Sequence, residues 1–147
     1  ESALIVRQAR ELGLSVPFFG GDGWESDKLL EIGGDALNGC FYSTHFSPEN
    51  KDAGVAAFVK KFKARWNNEN PDAFAALGYD AALVLADAIK RAGTTDGAKL
   101  RDALAATKNF AGASGITTID KDRNATKGAT IIAIKGGKLE FNKTVAP

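Results

Sequence analysis

Residues 18–26 read Phe18-Phe19-Gly20-Gly21-Asp22-Gly23-Trp24-Glu25-Ser26, and they set the architecture of the chain. An apolar pair closes a short extended segment, and two glycines then turn the backbone tightly. A single carboxylate, Asp22, stands between Gly21 and Gly23, with the large ring of Trp24 beside it. A strand that ends in a glycine turn and leads into a helix is the repeating unit of α/β proteins. In such sheets ligands collect in the crevice beyond the carboxyl ends of the strands. Asp22 and Trp24 are therefore expected in that crevice. An acid there suits a ligand bearing positive charge, such as the ammonium group of an amino acid. A turn acid that bonds its own backbone is the alternative for Asp22, and core packing is the alternative for Trp24.

The flanking pattern agrees with an α/β chain. Ser2 to Leu12 carries Leu4, Ile5, Ala9 and Leu12 at helical spacing, and Gly13 stands at the stop position. Ser15 to Gly20 reads as a short buried strand. Asp27 can cap a short helix with Leu29, Leu30 and Ile32 on one side, stopped by Gly33-Gly34. Gly39 to Thr44 reads as a second strand, and the rhythm predicts mostly parallel pairing. After the loop Ser47-Pro48-Glu49-Asn50, a helix is expected from Asp52 to Asn67, with Val55, Phe58, Val59, Phe62 and Trp66 in one stripe. A second runs from Ala73 to Ala92 with Gly93 as its stop, and a third from an Asp96 cap to Thr107. Strands are then expected over Gly115 to Asp120, Ala129 to Lys135 and Lys138 to Asn142, with Gly136-Gly137 as a two-residue hairpin turn.

Composition excludes several classes of function. The chain has 147 residues, 44% of them hydrophobic, enough for a real core. Nineteen basic against eighteen acidic side chains leave a net charge of +1, which is no footprint for nucleic acid. Lys60, Lys61, Lys63 and Arg65 lie mostly off the apolar stripe of their helix and read as a solvated face. Apolar runs fall far short of the ~18 residues of a membrane span. Gly20-Gly21-Asp22-Gly23 lacks both the G-x-G-x-x-G spacing and the Walker lysine, and its acid would repel phosphate. Asp120-Lys121-Asp122-Arg123-Asn124 opens like an EF-hand loop, but Ala125 and Ile131 occupy positions that need Gly and Glu. It reads as a hairpin turn. His45 is the one histidine and Cys40 the one cysteine, so metal sites and nucleophile–base pairs have no support. No cofactor and no metal are expected. Cys40 reads as a buried strand residue. His45 reads as a loop residue, one that could sense pH if it lies near a crevice. Phe74, at a helix start, reads as packing. The absence of methionine, together with an opening inside a helical pattern, predicts that this is the C-terminal part of a longer protein.

Four stretches then carry a resemblance: 6–14 (Val6-Arg7-Gln8-Ala9-Arg10-Glu11-Leu12-Gly13-Leu14), 19–24, 71–81 (Pro71-Asp72-Ala73-Phe74-Ala75-Ala76-Leu77-Gly78-Tyr79-Asp80-Ala81) and 86–93. In this order they resemble the leucine/isoleucine/valine-type solute-binding proteins of ABC importers, which have the type I periplasmic-binding fold. The resemblance implies a two-lobed α/β clamp that closes on an amino acid. It implies that residues 1–46 end the second lobe, 47–112 return into the first, and 113–147 supply crossing strands and a terminal hairpin. It implies a periplasmic or otherwise extracytoplasmic location and an ABC permease as partner. The absent N-terminal part would carry the loop that grips the ligand carboxylate. By the same resemblance Asp22 binds the α-ammonium group, Gly21 and Trp24 line the site, and Phe74 lines the apolar side-chain pocket. A sensory domain of the same fold is the runner-up, and a small α/β hydrolase the reading from another class. Edges exposed by loss of the first part would favour strand exchange or dimerisation.

Overall fold

The first helix, α1 (Ser2–Glu11), buries Ala3, Val6 and Ala9; of the expected stripe only Ala9 goes inward, while Leu4, Ile5 and Leu12 stay exposed. Residues 3–6 are apolar all round the first turn, and the small residues Ala3 and Ala9 give the closer approach. The neighbouring Arg10 decides the outcome. The guanidinium donates from Nε to the Ala36 carbonyl (3.2 Å) and from Nη1 to the carbonyls of Leu14 (2.6 Å) and Val16 (2.7 Å). It also lies over the Phe18 ring, 5.1 Å from its centroid. The segment entering the first strand is thus tied to the helix before it.

The computed structural model describes residues 1–26 and 28–147, so the Asp27 cap lies outside the described residues. The chain divides into two compact units, Glu1–Glu49 with Ala129–Val145, and Asn50–Gly128 with Ala146–Pro147.

In the first unit, α1 is followed by β1 (Phe19–Gly20), α2 (Lys28–Gly33) and β2 (Phe41–Thr44), and the late strands β6 (Ala129–Lys135) and β7 (Lys138–Val145) complete a sheet in the order β1-β2-β6-β7. Parallel pairing is confined to β1 and β2, while β2–β6 and β6–β7 are antiparallel. The expected parallel rhythm fails because the late hairpin, not another strand–helix unit, supplies the remaining partners. The Ser15 to Gly20 strand shrinks to two residues. It is a sheet edge and not buried: Phe19 is 76% exposed, with its ring stacked 5.2 Å from that of Phe41. Gly136 and Gly137 take φ of +53° and +72°, the left-handed pair that a tight hairpin turn requires. The core gathers Ala3, Val6, Leu29, Leu37, Cys40, Tyr42, Ile132 and Ile134. Cys40 is fully buried there, as its sequence context suggests.

The second unit holds α3 (Ala53–Arg65), α4 (Ala73–Ala92) and α5 (Gly97–Ala105), then a sheet of β3 (Phe110–Gly112), β4 (Gly115–Ile119) and β5 (Ala125–Thr126). Asp52, Asp72 and Asp96 each cap a helix by accepting a backbone N–H in its first turn. Gly93 ends α4 in the left-handed conformation. Val55 and Phe58 of the α3 stripe are buried, whereas Trp66 is exposed. Strands β3 and β5 are additions to the sequence reading. Asp120 closes the β4–β5 turn by accepting from the backbone N–H groups of Asp122 and Asn124, both at 2.8 Å. Those bonds hold its carboxyl below the usual carboxylate range, the Asn124 backbone contact most of all.

One carboxylate of this unit is buried. Asp80, on α4, is 7% exposed. It accepts from the backbone N–H groups of Ala113 (2.6 Å) and Ser114 (2.8 Å) and from the Ser114 hydroxyl (2.6 Å). A Cβ at Gly112 would overlap its carboxyl group. Lys127 donates to the Ser114 hydroxyl oxygen. Burial pushes the Lys127 ammonium below the ordinary lysine range, an effect that the charge of Asp80 opposes.

Candidate functional site

The glycine run after β1 forms a single 3-10 turn, Asp22–Trp24. Gly21 precedes it with extended backbone and accepts from the Trp24 N–H at 3.0 Å, and the Glu25 N–H reaches the Asp22 carbonyl at 2.9 Å. The turn bonds are made by backbone, which leaves the Asp22 carboxylate free to project. Its side chain is 68% exposed. Trp24 is half-buried against the core and covers Gly20 so closely that a Cβ there would overlap its indole. Gly20 is thus fixed by close approach, and the ring braces the turn from beneath.

Parallel pairing brings a second turn alongside. Gly20 pairs with Tyr42 in register, so the carboxyl ends of β1 and β2 lie next to each other, and the residues just past them meet. Glu25 accepts a hydrogen bond from the buried hydroxyl of Thr44. His45 Nε2 lies 3.3 Å from Asp22 Oδ2, with the histidine side chain 43% exposed. Beneath them Tyr42 is buried. Its phenol is pushed up to about 12, first by burial and then by the charge of Glu25.

Asp22, Gly21 and Trp24 therefore share one short turn of the first unit, at the strand ends where ligands of α/β sheets collect. Phe74 belongs to the second unit. It stands at the start of α4 and is 74% exposed, so the packing reading of this residue is not met in the chain. The sequence left Glu25, Thr44 and His45 unconnected to Asp22. The signal that could have joined them is the pairing of the two strands, since each residue follows a strand end by a few positions.

Among the described residues no three His, Cys, Asp or Glu side chains cluster as metal ligands, and no helix is long and apolar enough to cross a membrane. A shallow groove between α4 and the segment after α5 includes Asp87, Arg91, Thr107 and Lys108. Arg91 is engaged there by Asp87 (2.7 Å), the Ala103 carbonyl and the Thr107 hydroxyl.

Comparison with known proteins gives a consistent family. The profile described as periplasmic binding protein matches residues 1–138. The leucine-, isoleucine-, valine-, threonine-, and alanine-binding protein of Pseudomonas aeruginosa is 34% identical over 107 residues, 72% of this chain and 28% of that protein. The crystal structure of the leucine-binding protein LivK of Thermotoga maritima matches with a TM-score of 0.86 at 40% identity, over 99% of this chain and 41% of that one. The branched-chain amino acid transporter substrate-binding protein LivJ of Streptococcus pneumoniae, solved in complex with isoleucine, matches with a TM-score of 0.81 at 33% identity, again over 99% and 41%. The chain thus has the α/β fold of these proteins and spans well under half of their length.

Proposed function

The chain belongs to the periplasmic binding protein family, and from that premise we propose that it forms part of an extracytoplasmic receptor that captures a branched-chain or similar amino acid for an ABC importer. The observation that carries this reading is the Asp22 carboxylate, held out from a backbone-bonded turn at the carboxyl ends of β1 and β2. In support, the relatives named above are binding proteins for such amino acids, one of them solved with isoleucine.

The chemistry follows from charge. An ammonium group that leaves water for a closed cleft needs an opposite charge, or its desolvation makes binding unfavourable. Asp22 supplies that charge, Gly21 keeps the approach to it open, and Trp24 braces the turn and forms part of the wall. Phe74 is assigned to the ligand's apolar pocket. Residues 1–46 belong to the second lobe and 47–112 to the first, with 113–147 as crossing strands and terminal hairpin. A ligand that contacts both lobes favours the closed form over the open one, and the permease reads the difference. No step needs a nucleophile or a general base, and the reading is of a carrier and not an enzyme.

Calorimetry on the full-length gene product, with leucine, isoleucine and valine as probes, tests this. Asp22→Ala strands a buried cation, and the expected loss is about 3–5 kcal/mol, at least a hundredfold in affinity. Unchanged affinity in that variant refutes the assignment.

A further inference from the structure

We propose that His45 is a positioning residue of the ammonium site, one that holds the Asp22 carboxylate and competes with the ligand for it when protonated. The proposal rests on the reading of Asp22 given above and adds a residue and a pH response to it. The contact that carries it is His45 Nε2 to Asp22 Oδ2 at 3.3 Å, between two side chains from different strand ends that both reach solvent.

The geometry leaves the imidazole two roles. Neutral and protonated on Nε2, it donates one hydrogen bond to Oδ2 and leaves the other carboxylate oxygen for an ammonium group. Doubly protonated, it is a cation on the carboxylate that the ligand's own cation must use. Two cations then share one acid, and the second is bound less well. Among the described residues, the titratable groups on the elements packed around β2 do not reverse this. The 3-10 turn and the residue after it bring only the acids Asp22 and Glu25, and Glu25 is engaged by Thr44. Strand β2 itself contributes Tyr42, whose phenol, pushed up to about 12 by burial, carries no charge near neutral pH. Strand β1 is Phe19 and Gly20, and β6 places Thr130 opposite Thr44.

Amino-acid binding therefore expels a proton from His45 wherever its imidazole is charged. By linkage the affinity falls as the pH drops, by up to about tenfold per unit where one full proton is exchanged. The direction suits capture at neutral pH and easier release on the acidic side.

Leucine binding to the full-length receptor, measured by calorimetry from pH 5 to 8 in buffers of different ionisation enthalpy, tests the proposal. Wild type is expected to weaken at least tenfold between pH 8 and pH 5 and to release protons on binding. His45→Gln keeps a hydrogen-bond donor but cannot titrate, and it is expected to flatten the profile and abolish most of the proton release. NMR of the His45 Cε1–H, assigned by its loss in His45→Gln, gives a second readout. Its midpoint should fall when leucine saturates the protein and also in Asp22→Asn. A profile as steep in His45→Gln as in wild type overturns the proposal while Asp22→Ala still abolishes binding, so the receptor reading stands. A His45 midpoint that ignores Asp22→Asn also overturns it. Leucine affinity untouched by Asp22→Ala overturns the receptor reading and the proposal together.

Discussion

Asp80→Ala should loosen one defined place in the second unit. The carboxylate takes hydrogen bonds from the Ala113 and Ser114 amides and from the Ser114 hydroxyl, all at the turn that joins β3 to β4. The hydroxyl can rotate to another acceptor, but the two amides are fixed by the backbone. Each amide left without a partner costs about 1–2 kcal/mol when buried, and Ala113 is buried. The sum is about 2–4 kcal/mol, within the range of severe single substitutions. Read as local opening, that is roughly a 30- to 700-fold rise in amide exchange. Asp80→Asn keeps one acceptor oxygen and should fall about halfway on the same free-energy scale. The assay is hydrogen–deuterium exchange with mass spectrometry on the full-length protein, followed through peptides covering residues 110–118. Exchange of Ala113 and Ser114 within threefold of wild type in Asp80→Ala would refute the reasoning, because the amides would then have found acceptors the geometry does not offer.

Two further outcomes concern the first unit. Below about pH 10 the neutral Tyr42 phenol stabilises the fold; as the pH climbs from there through about 12, the folded-state value, the unfolded chain ionises first and up to about 2–3 kcal/mol is lost, so urea midpoints should fall above pH 10 in wild type and not in Tyr42→Phe. Gly20→Ala places a Cβ into the Trp24 indole, and the displaced ring should cost about 1–3 kcal/mol in thermal unfolding and weaken leucine binding at least about tenfold by misplacing the Asp22 turn.

The helices of this chain were legible because their signals are local. Asp52, Asp72 and Asp96 mark three starts and Gly93 one stop, and each does in the structure what its residue type favours. The strands were harder. β3 and β5 are three and two residues long, too short for an alternating pattern to show. The inner face of α1 went to Ala3, Val6 and Ala9 because Arg10 fixes the helix by long-range bonds to the segment at 14–16 and to Ala36, a constraint with no periodicity to betray it. Asp80 escaped notice for a related reason. An acid inside a run of alanines looks like a solvated position until the turn 33 and 34 residues downstream supplies its donors.

The candidate site divides along the same line. Asp22 could be singled out because a lone carboxylate between glycines, after an apolar pair, is a local pattern, and the family resemblance then gave it a partner chemistry. His45 lies 23 residues away and is brought to Asp22 only through the parallel register of β1 and β2. That register rests on a two-residue strand at a sheet edge, which backbone pairing alone would hold weakly. It is reinforced from outside the sheet: Arg10 clamps the chain entering β1, and Trp24 closes over Gly20 as the chain leaves it. The spacing of the acid and the histidine is therefore set in part by residues outside the pair. A substitution that frees the segment at 14–18, such as Arg10→Ala, should weaken leucine binding and flatten the His45 pH profile together. His45→Gln should flatten the profile too, and with it raise the affinity on the acidic side, where the competing cation is removed. Loss of affinity with an intact pH profile in Arg10→Ala would show that the Asp22–His45 pair is held by its own contact and not by the frame around it.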